Sequence, residues 1–121
     1  MSRKHVLYAF NMFDEVDAST DQISAITHVA QSDKASIYVS WSNGSTFSGT
    51  LEVQVRQNNK EVPELPWFTL DLGTAITLSG ASGDHQIYLT EMPFDQVRLN
   101  FTNSAGSADL TATIFTKTVG A

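Results

Sequence analysis

Three histidines, His5, His28 and His85, are the first residues to weigh as metal ligands. They lie far apart, and none stands in a ligand spacing such as H-x-x-x-H, so strand histidines without a metal are the simpler reading. Asp14, Glu15, Asp17 and Asp21 form an acidic cluster. A calcium loop needs alternating oxygen ligands, a glycine at the sharp turn and a distal bidentate Glu, and that pattern is absent. A solvated acidic loop is the main reading and adventitious Ca²⁺ the minor one. Gly80-Ala81-Ser82-Gly83-Asp84-His85 sets Ser, Asp and His side by side. A nucleophile elbow needs G-x-S-x-G on a strand-to-helix turn, and triad members meet by folding rather than by adjacency, so this segment reads as a turn. Glu52, Glu91 and Asp95 could form a glycosidase pair, but nothing in the sequence fixes their separation. The chain has no cysteine, which removes disulfides, thiolate metal sites and cysteine nucleophiles. The expectation is a protein that is not an enzyme, with no catalytic residue, no metal site and no cofactor.

The aromatic residues point instead to contact. Tyr38, Tyr88 and Phe115 fall on the nominally polar phase of their segments, and Trp67 adjoins Phe68, so one of that pair should face outward. Val6, Leu7, Tyr8 and Phe10 crowd a terminus that is ordinarily polar. These eight residues, Val6, Leu7, Tyr8, Phe10, Tyr38, Trp67, Tyr88 and Phe115, are candidate protein-interface positions, since exposed aromatics are enriched at interfaces. Stacking on a sugar ring, or cover by the protein's own loops, would also account for the aromatics.

These side chains must be positioned by strands. Ile37, Val39 and Trp41 alternate with polar residues, as do Leu51, Val53 and Val55, then Val97, Leu99 and Phe101, then Leu110, Ala112 and Ile114. Period two with one apolar phase marks half-buried strands, and these residues are the expected core. Weaker strand candidates are 4–10, 22–29, 67–70, 75–78 and 85–90. Residues 12–27 have some amphipathic character and offer a short helix as the lesser alternative. Ser42-Asn43-Gly44-Ser45 carries the Asn-Gly signal of a hairpin, and Asn103–Ser107 reads as the turn of the last one. Short strands at this spacing predict an all-β, antiparallel two-sheet β-sandwich of about eight strands, jelly-roll or immunoglobulin-like.

Bulk properties agree. The 121 residues suit a single domain, 1–121, with an N-terminal arm over about 1–20. The arm's apolar residues should pair with its own sheet or with a neighbour. Composition is 41% hydrophobic and 17% charged, and no apolar run reaches the roughly 20 residues of a membrane span. The segment Met1–Phe10 does not read as a secretory signal. The sequons at Asn43 and Asn100 are therefore expected to be chance matches. Net charge is −6 with seven scattered Lys and Arg, which argues against nucleic acid as a partner.

Three stretches carry a resemblance to a known family. The first is Ala35-Ser36-Ile37-Tyr38-Val39-Ser40-Trp41 with Phe47-Ser48-Gly49-Thr50-Leu51-Glu52-Val53-Gln54-Val55. The second is Trp67-Phe68-Thr69-Leu70. The third comprises Gly83-Asp84-His85-Gln86-Ile87-Tyr88-Leu89, Met92–Leu99 and Ser107–Ile114. Together they span about 35–117 and resemble small β-sandwich structural proteins of tailed bacteriophages. The first thirty or so residues match less well, and the loop 57–66 departs from the usual S-N-D turn. The resemblance implies a virion structural protein, first a capsid decoration or cement protein that binds and stabilises the major capsid protein shell. It would be made in the host cytoplasm and reside on the capsid surface as a homo-oligomer, trimer first and dimer second. Neither nucleic acid nor membrane is expected as a partner. The alternative is a phage neck, tail or fibre-associated binding module contacting host glycan.

Overall fold

A computed structural model describes residues 4–30, 32–57, 65–90 and 94–120, with side chains from 8 to 117 within them. Eight strands follow in order: β1 (Lys4–Asp17), β2 (Gln22–Ile23), β3 (Thr27–His28), β4 (Lys34–Arg56), β5 (Phe68–Thr69), β6 (Ile76–Ser79), β7 (Gly83–Leu89) and β8 (Gln96–Gly120). The described residues contain no helix. The stretch 12–27, where a helix was the lesser alternative, holds the end of β1 and the short strands β2 and β3.

Two long strands organise the molecule. β4 and β8 run antiparallel from Lys34↔Lys117 to Ser42↔Asp109, shift register, and continue from Gly49↔Asn103 to Arg56↔Gln96. Each half of this ribbon collects different neighbours. The 34–42 half takes β7 on one side and β1 on the other, giving the order β1-β8-β4-β7. The 48–56 half takes β5 and β6 on one side, and β2 and β3 pair with the facing half of β8. Folding the ribbon at its register shift lays one four-stranded layer on the other. The chain visits the layers in the order first (β1), second (β2, β3), first then second (β4), second (β5, β6), first (β7), second then first (β8). That winding is the jelly roll and not the immunoglobulin arrangement.

This overturns one expectation. Ser42-Asn43-Gly44-Ser45 and Asn103–Ser107 are not hairpin turns but the two corners of the bent ribbon. Neither half of β4 pairs with the other; both pair with β8. The same residue chemistry serves both purposes, because a sharp corner also needs left-handed backbone. Asn43 and Thr46 have φ of 54° and 49°, and Gly106 has 65°. The corners nest closely: a Cβ on Gly106 would strike the Ser45 carbonyl oxygen and the Thr46 backbone. Gly44 lies as tightly against the Gly80 carbonyl, and its N–H donates to Ala81 O at 2.8 Å.

The core forms where the inner phases of the two layers meet. Ile37, Val39, Trp41, Leu51, Val53, Val97, Leu99, Phe101, Leu110 and Ile114 are buried as the alternation predicts, and Val55 is partly buried against them. Trp41, Phe47 and Phe101 form a tilted and stacked aromatic run under the corner, with centroids 6.5 and 5.7 Å apart. The Trp41 indole donates to Ser79 O at 3.2 Å, tying the first layer to the second. Consecutive Met12 and Phe13 are both buried, which strict alternation forbids. Register shifts between Asn11, Phe13 and Val16 mark bulges in β1 that permit it.

Within the stretch expected as an N-terminal arm, residues 4–17 are β1 itself, paired with β8 from Lys4↔Gly120 to Asp17↔Asp109. Of the two pairings open to that segment, the described backbone takes the one with its own sheet. Ala25 N donates to Met12 O at 3.2 Å and Asn103 Nδ2 to Ala18 O at 2.7 Å, so the β1 edge is also tied to the second layer.

Candidate functional site

Strand register decides which side chains share a surface, and on the first layer it gathers three of the candidate aromatics. On the outer face, Tyr88, Ser36, Phe115 and Ala9 are aligned as one cross-strand row. The next row is Gln86, Tyr38, Thr113 and Asn11. Tyr88 is 67% exposed, Phe115 45% and Tyr38 41%. Lys34 and Lys117 pair directly beyond the first row, and with Ser36, Tyr88 and Phe115 they line a shallow depression of about 250 Å³. At the far end of the same face stand Asp84, aligned with Ser40, and Asp109, aligned with Ser42. The Tyr38 hydroxyl donates to Asp84 Oδ2 at 3.0 Å, and that carboxylate raises the Tyr38 phenol above its ordinary value of 10.0. Thr113 Oγ1 donates to Asn11 Oδ1 at 3.3 Å, bracing the edge of the face. The outcome is an exposed sheet face with an aromatic centre, with Lys34 and Lys117 beside Asp33 at one end and Asp84 and Asp109 at the other.

The remaining candidates are dispersed. Tyr8 and Phe10 stack with centroids 6.3 Å apart, but they pair with Thr116 and Ile114 and so stand on the core side of β1, at its margin, where Phe10 shares an open depression with Ile26, Thr27 and His28 of the second layer. They are 51% and 45% exposed. The side chains of Val6 and Leu7 lie outside those described. Trp67 sits half-buried on the outer face of the second layer, 4.5 Å from the Arg56 guanidinium carbon and 4.2 Å from that of Arg98. Of the adjacent pair, Phe68 is the exposed member, packed at the rim of an open apolar depression of about 450 Å³ with Val55, Leu70 and Phe94.

No protein-family model matches the sequence, and no curated protein matches it. Solved structures do share the fold. SPBc2 prophage-derived protein YomS superposes with a TM-score of 0.56 at 7% identity, over 95% of this chain and 96% of that one. A chain of infectious bursal disease virus, Gt strain, superposes with a TM-score of 0.62 at 6% identity over 95% of this chain. The Gx strain gives 0.55 at 10% identity. This chain spans 32% of the length of each viral chain. At such identities the likeness is one of architecture alone.

His28 lies next to Gln96 at the β3 edge, with Nδ1 3.4 Å from Gln96 Nε2, whereas His85 sits on β7 of the other layer. No group of three His, Asp or Glu side chains suited to a metal occurs among the described residues. Asp17 and Asp21 accept backbone N–H groups, from Ser19 at 2.9 Å and Asn103 at 2.8 Å. The Ser19 bond holds Asp17 below its ordinary value of 3.8. Ser82 lies in the exposed β6–β7 turn, while Asp84 is bound to Tyr38. Glu52 accepts from Thr69 Oγ1 at 3.3 Å, and Glu91 lies outside the described residues.

Sequence reasoning missed the cluster around Trp67. Arg98 Nε donates to Gln54 Oε1 at 2.8 Å and Arg56 Nε to Gln96 Oε1 at 2.6 Å, placing both guanidinium groups beside the indole. Desolvation first, and the Arg56 charge second, hold Arg98 below its ordinary value. The signal was present in the polar phase shared by Gln54, Arg56, Gln96 and Arg98, but only the β4–β8 register turns it into a contact.

Proposed function

We propose that this chain is a virion structural protein, and specifically a capsid decoration or cement subunit that binds and stabilises a shell of major capsid protein. The observation that carries the reading is the exposed aromatic face of the first layer, centred on Tyr88, Phe115 and Tyr38. Jelly rolls recur in virus shells and in lectins, so the fold alone leaves the role open. The surface narrows it. Large aromatic side chains on a flat sheet face suit a protein contact, where they bury much area with little loss of conformational freedom. A decoration subunit needs a stable core and a contact surface, and no cofactor. Net charge −6 would keep it soluble before assembly. Its place would be the outer capsid surface, after synthesis in the host cytoplasm.

Quantitative mass spectrometry of purified particles from cells carrying the gene tests the reading. Decoration requires copies in numbers comparable to the major shell protein. A handful of copies would move the chain to a neck or tail, and none at all would remove it from the virion. The tail or fibre reading draws support from Tyr88, whose open ring could stack on a sugar. Binding on a glycan array, lost on Tyr88→Ser, would favour it. Trp67 is less suited to that task because two guanidinium groups already engage its ring.

A further inference from the structure

We propose that the outer face of the first layer is a self-complementary dimer surface, packing against a second copy of this chain with strands reversed. The inference rests on the structural-subunit reading for its biological use, with the aromatic face serving contact between copies and the shell met by the remaining surface, and on the face itself for its geometry. Along β4 and its neighbours, alternate residues form successive rows about 6.8 Å apart. The order is Lys34 with Lys117; Tyr88, Ser36 and Phe115; Gln86, Tyr38 and Thr113; Asp84, Ser40 and Thr111; then Ser42 and Asp109. Glu15 adds to the acidic end, where its N–H donates to the Thr111 hydroxyl at 3.2 Å.

The charges select both the occupant and its orientation. Lys34 and Lys117 stand directly opposite each other, an arrangement of like charges that an acid from a second copy would relieve further than Asp33, the neighbouring acid whose N–H donates to Lys117 O at 2.9 Å, can alone. Along the rows of the face itself the acids stand at the other end, Asp84 about 20 Å away and Asp109 one row farther, beyond the lysines' own reach. A two-fold axis lying in the face and perpendicular to the strands brings the two ends together between copies. Such an axis lays each strand on its own counterpart, so Lys34 of one copy lies one strand over from Asp84 of the other, while Lys117 lies opposite Thr111 with Asp109 in the next row, and the reverse contacts form by symmetry. The Tyr88–Phe115 row falls on the partner's Tyr38 row, closing an aromatic centre inside a charged rim. Parallel strands would instead set lysines on lysines. Asp84 can serve both partners, since a carboxylate that accepts from Tyr38 retains further acceptor positions.

Size sets the strength. In that register four strands by four rows overlap, about 500 Å² of face or roughly 1,000 Å² over both copies, the lower limit for a specific interface. The dimer should therefore be reversible and dependent on concentration in solution, and strengthened by avidity when many copies sit on one surface. Such an isologous contact closes at two copies and does not make the trimer that the sequence suggested first.

Sedimentation equilibrium on the full chain tests this by charge exchange. The wild type should titrate between monomer and dimer. Lys34→Glu with Lys117→Glu should weaken association at least tenfold, and so should Asp84→Lys alone. An equimolar mixture of the two variants should recover association as heterodimer, which also demonstrates that both are folded. A wild type that stays monomeric at every concentration, forms trimers, or dimerises equally well with either variant would overturn the proposal, as would a mixture that fails to recover. Copy number on particles is read separately. Monomers in solution with many copies on particles would sink the dimer and spare the structural-subunit reading, and dimers with no copies on particles would do the opposite.

Discussion

Gly106→Ala should be far more damaging than a glycine substitution in a surface turn. Gly106 occupies left-handed backbone, φ 65°, at the corner where β8 crosses β4. An L-residue there costs about 1 kcal/mol relative to glycine. The added methyl would also collide with Ser45 O and Thr46 O, which are backbone atoms and cannot rotate away. Forcing a packed contact apart typically costs a further ~1–3 kcal/mol. Gly73 isolates the second effect. Its φ is 85°, yet a Cβ there meets nothing within 4 Å. Gly73→Ala should therefore lose only the dihedral part, about 1 kcal/mol, and Gly106→Ala about 2–4 kcal/mol. At this chain length each kcal/mol moves Tm by about 3–6 °C, so the two variants separate clearly in urea or thermal unfolding. Equal losses at the two positions would mean that the corners are not in contact and that the ribbon does not fold over as described.

Other consequences follow from the same contacts. Phe101→Ala removes a fully buried ring stacked on Phe47 and should cost about 3–5 kcal/mol by urea denaturation. Tyr38 should titrate above 10.0, and Asp84→Asn should bring it down when followed by ultraviolet absorbance. Because the folded-state phenol value is raised, the associated stabilisation is complete below about 10 and is lost as pH rises through the folded value. Asp17 has the opposite sign: its value is lowered, so its contribution is present above 3.8 and is lost on acidification, an effect that Asp17→Asn should remove from the pH dependence of unfolding. Deleting residues 1–10 strips the partner from Ile114–Gly120 and should destabilise the domain measurably, rather than trimming a loose arm.

Most of the core was legible because burial on one face imposes period two locally, so Ile37, Val53, Leu99 and Ile114 declare their phase without knowledge of their partners. The outward phase of Tyr38, Tyr88 and Phe115 was legible for the same reason. Their meeting on one face was not, because it depends on β7 pairing with the first half of β4, across a separation of about fifty residues. The corner at Asn43-Gly44 was misread for a physical reason: left-handed residues suit a hairpin and a bend equally, and only the strand across from them distinguishes the two. Met12 and Phe13 show a second limit, since a bulge resets the phase without a sequence mark as plain as glycine. Trp67 drew attention as an isolated aromatic, while the arginines that hold it come from two strands more than forty residues apart.

Single-particle imaging of intact particles tests most directly whether this jelly roll is a shell subunit that works through its aromatic face. The account predicts repeated jelly-roll density across the outer shell, with Tyr88, Phe115 and Tyr38 covered by a second copy. A shell without that density, or a chain on the shell whose Tyr88–Phe115 face is open to solvent, would contradict it.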